Sequence, residues 1–339
     1  MLSVDNTFII AEIGVNHNGN IELAKEMIAS AKLAGADAVK FQTFTAEALV
    51  SRTTPKVNYQ KETTPEADSH YDMIKSLELS HSDHYPIIEC CRQLSIQFIS
   101  TPYDLESAVF LDCIGVEVFK TASADIVDLP LHRFLAGTGK SVIISTGMST
   151  VSEIREVMDI YETAGNSNVT LLHCVSNYPC EYNSLNLRVM MTLESEFCVP
   201  IGYSDHAIGV YPAVAAVAMG ARVIEKHFTL DKTALGPDHK ASSTPEEFKE
   251  LVDAIRVCEV SLGSDQKAVQ TEEIQMRQVS RKSIFVAKRI PKGSIIKLED
   301  LTLKRPGTGL YAKSFSEIEG LSAKYDLLPE HMLSYDDLE

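Results

Sequence analysis

Short apolar runs, each closed by polar residues, recur along most of the chain. They are Phe8–Gly14, Ala38–Thr43, Phe98–Tyr103, Val118–Ser123, Val142–Gly147, Val169–Cys174, Pro200–Asp205 and Val223–Phe228. These runs are rich in β-branched residues and lack a period of two, as strands covered on both faces do. Most of the intervals between them have a helical pattern. Ile21–Leu33 carries apolar residues at 21, 23, 24, 27, 28 and 31. Ser152–Glu162 carries Ile154, Val157, Met158 and Tyr161, and Val210–Met219 is almost wholly apolar. Eight strand–helix units predict a parallel sheet closed as a (β/α)8 TIM barrel, with an open doubly wound sheet as the alternative.

Two departures from this rhythm matter. The interval from Phe44 to Gln97 is too long for one crossover, and its polar stretch Ser51–Ser69 reads as a loop lying over the active-site face. After Leu262 the texture changes. Gly263–Arg281 is polar, and Ser283–Val286, Ile295-Ile296 and Leu301–Leu303 read as short strands separated by Gly/Pro turns. The expected organisation is a barrel domain over 1–263, a linker over 264–281 and a small β-rich domain over 282–339.

Composition narrows the class. The 339 residues are 45% hydrophobic and 23% charged, an ordinary globular balance. With 31 basic against 47 acidic residues the net charge is −16, which argues against nucleic acid or an anionic membrane as partner. It also makes any inward-pointing lysine informative, because an anionic ligand needs one. No run of 18 apolar residues occurs, and Met1–Thr7 lacks the basic and apolar regions of a secretory signal. Seven cysteines without a CxxC pair read as reduced thiols, giving a cytoplasmic expectation. The first βα turn, Gly14–Gly19, has no GxGxxG, so no dinucleotide site is expected.

In a barrel the carboxyl ends of the strands face the active site. Here those ends supply Glu12 and Asn16-His17, Lys40 and Gln42, Ser100-Thr101, Lys120 with Ser123, and Ser145-Thr146. His173 with Ser176-Asn177, Ser204-Asp205-His206, and Glu225 with His227 follow. Two lysines among hydroxyls suit a phosphate or carboxylate. His206 and His227 close neighbouring strands, which suits either a divalent metal or hydrogen-bonded core imidazoles. His173 reads as a packing residue. Asp238, in the turn Gly236–Lys240, is placed to face the same mouth.

These residues lie in stretches that resemble the N-acetylneuraminate (sialic acid) synthases of the wider nonulosonate synthase family. The stretches are AEIGVNHNG (11–19), VKFQTF (39–44), STPYD (100–104), STGM (145–148), LLHCVSNYP (171–179), GYSDH (202–206), EKHFTLDK (225–232) and GPDHKAS (236–242). RKSIFVAKRIPKG (281–293) and KRPGTG (304–309) resemble that family's C-terminal antifreeze-like (SAF) domain. The resemblance implies condensation of phosphoenolpyruvate with an open-chain N-acylated amino sugar, N-acetylmannosamine, to give N-acetylneuraminate and phosphate. A legionaminic-type synthase acting on 2,4-diacetamido-2,4,6-trideoxymannose is the alternative. The resemblance implies phosphoenolpyruvate contacts at Lys40, Thr101, Lys120, Ser123, Ser145 and Ser204. The acceptor falls on Glu12, Gln42, Asp125, Tyr178, Asp238 and Arg305. A Mn²⁺ or Mg²⁺ ion falls on His206 and His227. Catalytic roles fall on Glu12, Lys40, Lys120, His206 and Arg305, the last reaching the partner's site in a domain-swapped homodimer.

The implied chemistry has C3 of phosphoenolpyruvate attacking the acceptor aldehyde, water adding at C2, and phosphate leaving with C–O cleavage. Asp125 stands where the family commonly has Glu, and Ser176 where some members have Asn, so the acceptor's identity is the open point. A Schiff-base aldolase using Lys40 or Lys120, and a catalytically inactive sugar-binding barrel, are the readings from other classes.

Overall fold

The computed structural model describes residues 6–65 and 67–339. The segment Met1–Asp5, part of the stretch read as lacking a secretory signal, lies outside the described residues. The chain divides into two compact units, Met1–Gly263 and Ser264–Glu339.

The first unit is a closed barrel of eight parallel strands in sequential order: β1 (Phe8–Gly14), β2 (Ala38–Thr43), β3 (Gln97–Pro102), β4 (Val118–Thr121), β5 (Ser141–Ser145), β6 (Val169–Cys174), β7 (Ile201–Asp205) and β8 (Val223–His227). Alternation along each strand divides the apolar residues between two layers. Ile10, Ala38, Ile99, Ile143, Leu172 and Val223 fill the barrel floor. Ile9, Val39, Phe119, Ile144, Leu171 and Ile224 pack outward with the surrounding helices. Several helices begin at side-chain caps, which satisfy backbone N–H groups that the first turn leaves free. Asn20 caps Ile21–Leu33, Thr150 caps Val151–Thr163 and Thr244 caps Pro245–Leu262. Among the described residues no helix is long and apolar enough to cross a membrane.

The long β2–β3 connection is not a plain polar loop. It holds short helices at Ala46–Leu49, Asn58–Thr63 and His70–Ser76 before the helix His81–Gln93. Thr45 and Ser69 cap two of these. Met73 and Leu77 are buried with Val15 and Phe44 in a small cluster of their own. The polar residues that dominate this stretch obscured the few apolar ones that anchor it.

The second unit has a two-stranded antiparallel sheet, β9 (Ser283–Val286) and β10 (Leu301–Lys304). Isolated antiparallel bridges extend it, Ile290 to Leu327 and Ile295 to Ser322 among them. Its separate core includes Ile284, Val286, Ile296, Ile318, Leu327 and Leu333. A helix, Glu273–Ser280, occupies part of the polar stretch 264–281.

Candidate active site

Barrel closure decides which strand ends meet. Glu12 is the register partner of Lys40 on β2 and of His227 on β8. Ser204 on β7 pairs with Cys174 on β6 and with Glu225 on β8. Side chains at alternate positions point inward, so Glu225 and His227 share one face of β8, and Ser204 and His206 follow the same alternation on β7. The first strand ends in a bulge between Glu12 and Gly14, and Gly14 has φ +55°. A Cβ there would stand 2.9 Å from Glu12 Oε1 and 3.1 Å from Gln42 Nε2, so glycine leaves room for both side chains.

A cavity of about 810 Å³ opens at these strand ends. Its charged floor is built on two buried lysines that converge on Glu225. Lys40 Nζ lies 3.1 Å from Glu12 Oε2 and 3.5 Å from Glu225 Oε1, and donates to Thr101 Oγ1 at 3.3 Å. Lys120 Nζ lies 3.9 Å from Glu225 Oε2 and donates to Ser145 Oγ at 2.5 Å and to the Thr121 carbonyl at 2.9 Å. Ser204 Oγ donates to Glu225 Oε1 at 3.0 Å. Ser123 Oγ accepts from Gly147 N at 3.0 Å and lies 3.1 Å from Cys174 Sγ. Gln42 Nε2 donates to Glu12 Oε1 at 3.0 Å.

Burial and charge oppose one another here. Burial pushes the Glu12 carboxyl up to about 7, against the pull of Lys40. Burial also favours a neutral Lys40, but Glu12 and Glu225 outweigh it and hold its pKa above the ordinary value. Lys120 is lowered by burial, with Lys40 adding to the effect and Glu225 opposing it. Glu225 is buried too, yet Lys120, Lys40 and His227 hold it down at about 2.

A second group of side chains lines the same cavity. The His206 and His227 ring centroids lie 5.6 Å apart, with Tyr178 4.2 Å from the first and 5.4 Å from the second. His206 Nδ1 is 2.7 Å from the Val175 carbonyl, which can only accept, so Nδ1 carries the proton and Nε2 keeps its lone pair. His227 Nδ1 has no hydrogen-bond partner among the described residues and lies 3.7 Å from Asp238 Oδ2. Burial lowers His206 to about 4 and His227 well below its ordinary value, the latter helped by His206 and Lys40. Burial raises Asp238 to about 6. Two neutral imidazoles, one with an unpartnered nitrogen, fit a divalent cation that takes its remaining ligands from substrate or water. No group of three or more His, Cys, Asp or Glu side chains placed to hold a metal occurs among the described residues.

Of the residues read from the sequence, Glu12, Lys40, Gln42, Lys120, Ser123, Ser145, Tyr178, Ser204, His206, His227 and Asp238 all line this cavity. Thr101 stands behind the lining, fully buried and bonded to Lys40. Asp125 does not line it. The 3₁₀ turn Ser123–Val127 presents Ser123 and Ala124 instead, and Asp125 is largely buried, with Oδ2 unpartnered. Arg305 belongs to the second unit, where it is exposed directly after β10. His173 packs as expected, its ring against Tyr203 and Nε2 2.7 Å from the Leu185 carbonyl. His17 accepts from Gly19 N and stacks on Phe41, and Asn16 donates to the Phe228 carbonyl and to Ser242. Both hold loops.

Two features went unassigned in the sequence. Glu225 was visible as a strand end, and its spacing of two from His227 was the signal that it shares the site. The apolar lining from the β2–β3 connection, including Phe44, Leu49, Met73, Ile74 and Leu77, had no sequence signal beyond scattered apolar letters.

The chain matches the NeuB family over residues 27–267 and the SAF domain over residues 281–339. It is 47% identical over 335 residues to the N,N'-diacetyllegionaminic acid synthase of Legionella pneumophila, covering 96% of this chain and 94% of that protein. It is 43% identical to the Campylobacter jejuni protein of the same name, over 93% of this chain and 95% of that one. The solved structure of N-acetylneuraminic acid (sialic acid) synthetase from Leptospira borgpetersenii superposes with a TM-score of 0.71 at 35% identity, covering 80% of this chain and 90% of that chain.

Proposed function

This chain belongs to the NeuB family and carries a SAF domain, and from that premise we propose that it is a nonulosonate synthase, condensing phosphoenolpyruvate with an open-chain N-acylated amino sugar. The observation that carries this reading is the convergence of Lys40 and Lys120 on Glu225 amid the hydroxyls of Ser123, Ser145 and Ser204. Lys40, held charged by Glu12 and Glu225, and Lys120 beside it form a preorganised cradle for a phosphate and a carboxylate. When phosphate departs, that charge is already in place and needs no reorganisation. Glu12, poised near 7 and bonded to Gln42, is the group we assign to orient the acceptor and deliver a proton to the new hydroxyl oxygen. A divalent metal, Mn²⁺ or Mg²⁺, would be held by His206 and His227 and would supply Lewis-acid polarisation of the acceptor carbonyl. The residues around it bind and orient the two substrates and leave room for the water that adds at C2 as phosphate departs.

We propose further that the acceptor is the 2,4-diacetamido-2,4,6-trideoxy sugar rather than N-acetylmannosamine. Support comes from the apolar lining contributed by Met73, Ile74 and Leu77, which suits a methyl group in place of a terminal hydroxymethyl. The names of the two relatives quoted above agree with this choice. An apolar pocket discriminates such a pair by roughly 10–200-fold. Phosphate release from phosphoenolpyruvate should be measured with both sugars. A preference of at least about tenfold in kcat/KM for the deoxy sugar is expected, and a preference for N-acetylmannosamine would reverse the assignment. Phosphoenolpyruvate carrying ¹⁸O in the bridging position should place the label in released phosphate. Label retained in the sugar acid would mean P–O cleavage and end the proposed chemistry. Finally, we propose that the enzyme works as a homodimer in which Arg305 of one subunit serves the partner's barrel. Support comes from the exposure of Arg305 after β10 and from the sequence resemblance.

A further inference from the structure

Positions that face the helices in this barrel are mostly apolar, yet β7 and β8 place an aspartate and a lysine there. Asp205 and Lys226 are register partners and are buried, with 0% and 3% of their side chains exposed. Lys226 Nζ donates to Asp205 Oδ2 at 2.7 Å. The remaining bonds of the pair go largely to one residue. Lys226 Nζ donates to the Ala207 carbonyl at 2.6 Å, and Asp205 Oδ1 accepts from Ala207 N at 3.0 Å and from the Tyr203 hydroxyl at 3.1 Å. His206 therefore sits between two clamped positions, its own carbonyl accepting from Cys180 N at 2.9 Å and its Nδ1 fixed on Val175. Lys226 lies directly between Glu225 and His227. A buried ion pair is seldom more stabilising than an apolar pair of the same volume, so stability alone does not account for it.

We propose that the Asp205–Lys226 pair is a positioning device: it fixes the backbone around His206 and thereby sets the His206 imidazole relative to His227. This rests on the reading above only in taking those two imidazoles as the cation ligands. Residues behind a metal ligand commonly change its affinity by about 10–100-fold when replaced.

The test uses the full-length chain and a neutral pair, Asp205→Asn with Lys226→Met, which keeps an acceptor for Ala207 N and leaves no unpaired buried charge. Lys226→Met alone serves as the destabilised control. Two quantities are read without substrate. One is the His206 Nδ1–H signal by ¹⁵N NMR, and the other is Mn²⁺ affinity by calorimetry. In the double variant the protected Nδ1–H signal should broaden or vanish, Mn²⁺ should bind about tenfold or more weakly, and phosphoenolpyruvate affinity should stay within about threefold of wild type while the melting temperature exceeds that of Lys226→Met. An unchanged Nδ1–H signal with unchanged Mn²⁺ affinity would overturn the positioning role and leave the reading of the site intact. If the wild type binds no Mn²⁺ but the variant loses its Nδ1–H signal, positioning stands and the metal assignment falls. An unfolded double variant would also overturn it, showing that the pair holds the barrel itself.

Discussion

The Glu225 carboxylate lies 3.5 Å from the Lys40 ammonium, with both side chains buried inside the barrel. The same carboxylate is the principal support for the charge on Lys120, whose pKa burial lowers. Glu225→Gln removes that support, so Lys120 should lose its proton more readily. A neutral amine holds an anion poorly. Phosphoenolpyruvate affinity, measured by calorimetry between about pH 7 and 9, should fall less with rising pH in the wild type than in the variant. In Glu225→Gln it should fall as pH rises, approaching tenfold per unit for one linked proton. A flat profile in the variant would show that Glu225 does not keep Lys120 charged.

The metal proposal predicts that a chelator abolishes turnover and that Mn²⁺ restores it. His206→Ala and His227→Ala should each keep the barrel, judged by circular dichroism, and lose about 10³-fold or more in kcat/KM, the scale of several kcal/mol of lost charge stabilisation. Full activity in excess chelator would remove the metal from the mechanism. Trapping of a substrate adduct by borohydride would instead point to Lys40 or Lys120 as a Schiff-base nucleophile.

Asp125 gives a test of stability against pH. Burial raises its carboxyl from 3.8 to about 7 in the folded chain. A raised carboxyl contributes stability that is fully present below the unfolded value, and that stability is lost as pH rises through the folded one. Asp125→Asn has no such loss. It should therefore raise Tm more at pH 8 than at pH 5, by several degrees at roughly 2–4 °C per kcal/mol. Equal shifts at the two pH values would mean that the carboxyl is solvated.

The dimer proposal predicts complementation. Arg305→Ala and His206→Ala subunits are each expected to be inactive alone. After random exchange half of the dimers are mixed, and each mixed dimer holds one barrel intact with an intact partner arginine. Activity should recover to about one quarter of the wild type. Demonstrated exchange with no recovery would place the action of Arg305 within its own chain or nowhere in the reaction.

The barrel was legible because local pattern determines it. Runs such as Val169–Cys174 can be strands only if covered on both faces, and eight of them alternating with helices close into a barrel. Strand-end chemistry was legible for the same reason, since alternation fixes which of Glu225, Lys226 and His227 turn inward. Tertiary structure decided which of these residues meet. Glu12 reaches both Lys40 and the β8 residues because β1 pairs with β2 on one side and β8 on the other, a contact spanning more than two hundred residues. Asp125 leaves the cavity because a 3₁₀ turn, not a continued strand, follows Thr121. The β2–β3 connection became an apolar lining because Met73 and Leu77 find Val15 and Phe44 in space, far from them in sequence. Periodicity records a residue's neighbours within its own element. Closure, register and turn geometry depend on contacts between elements, which a single sequence does not spell out.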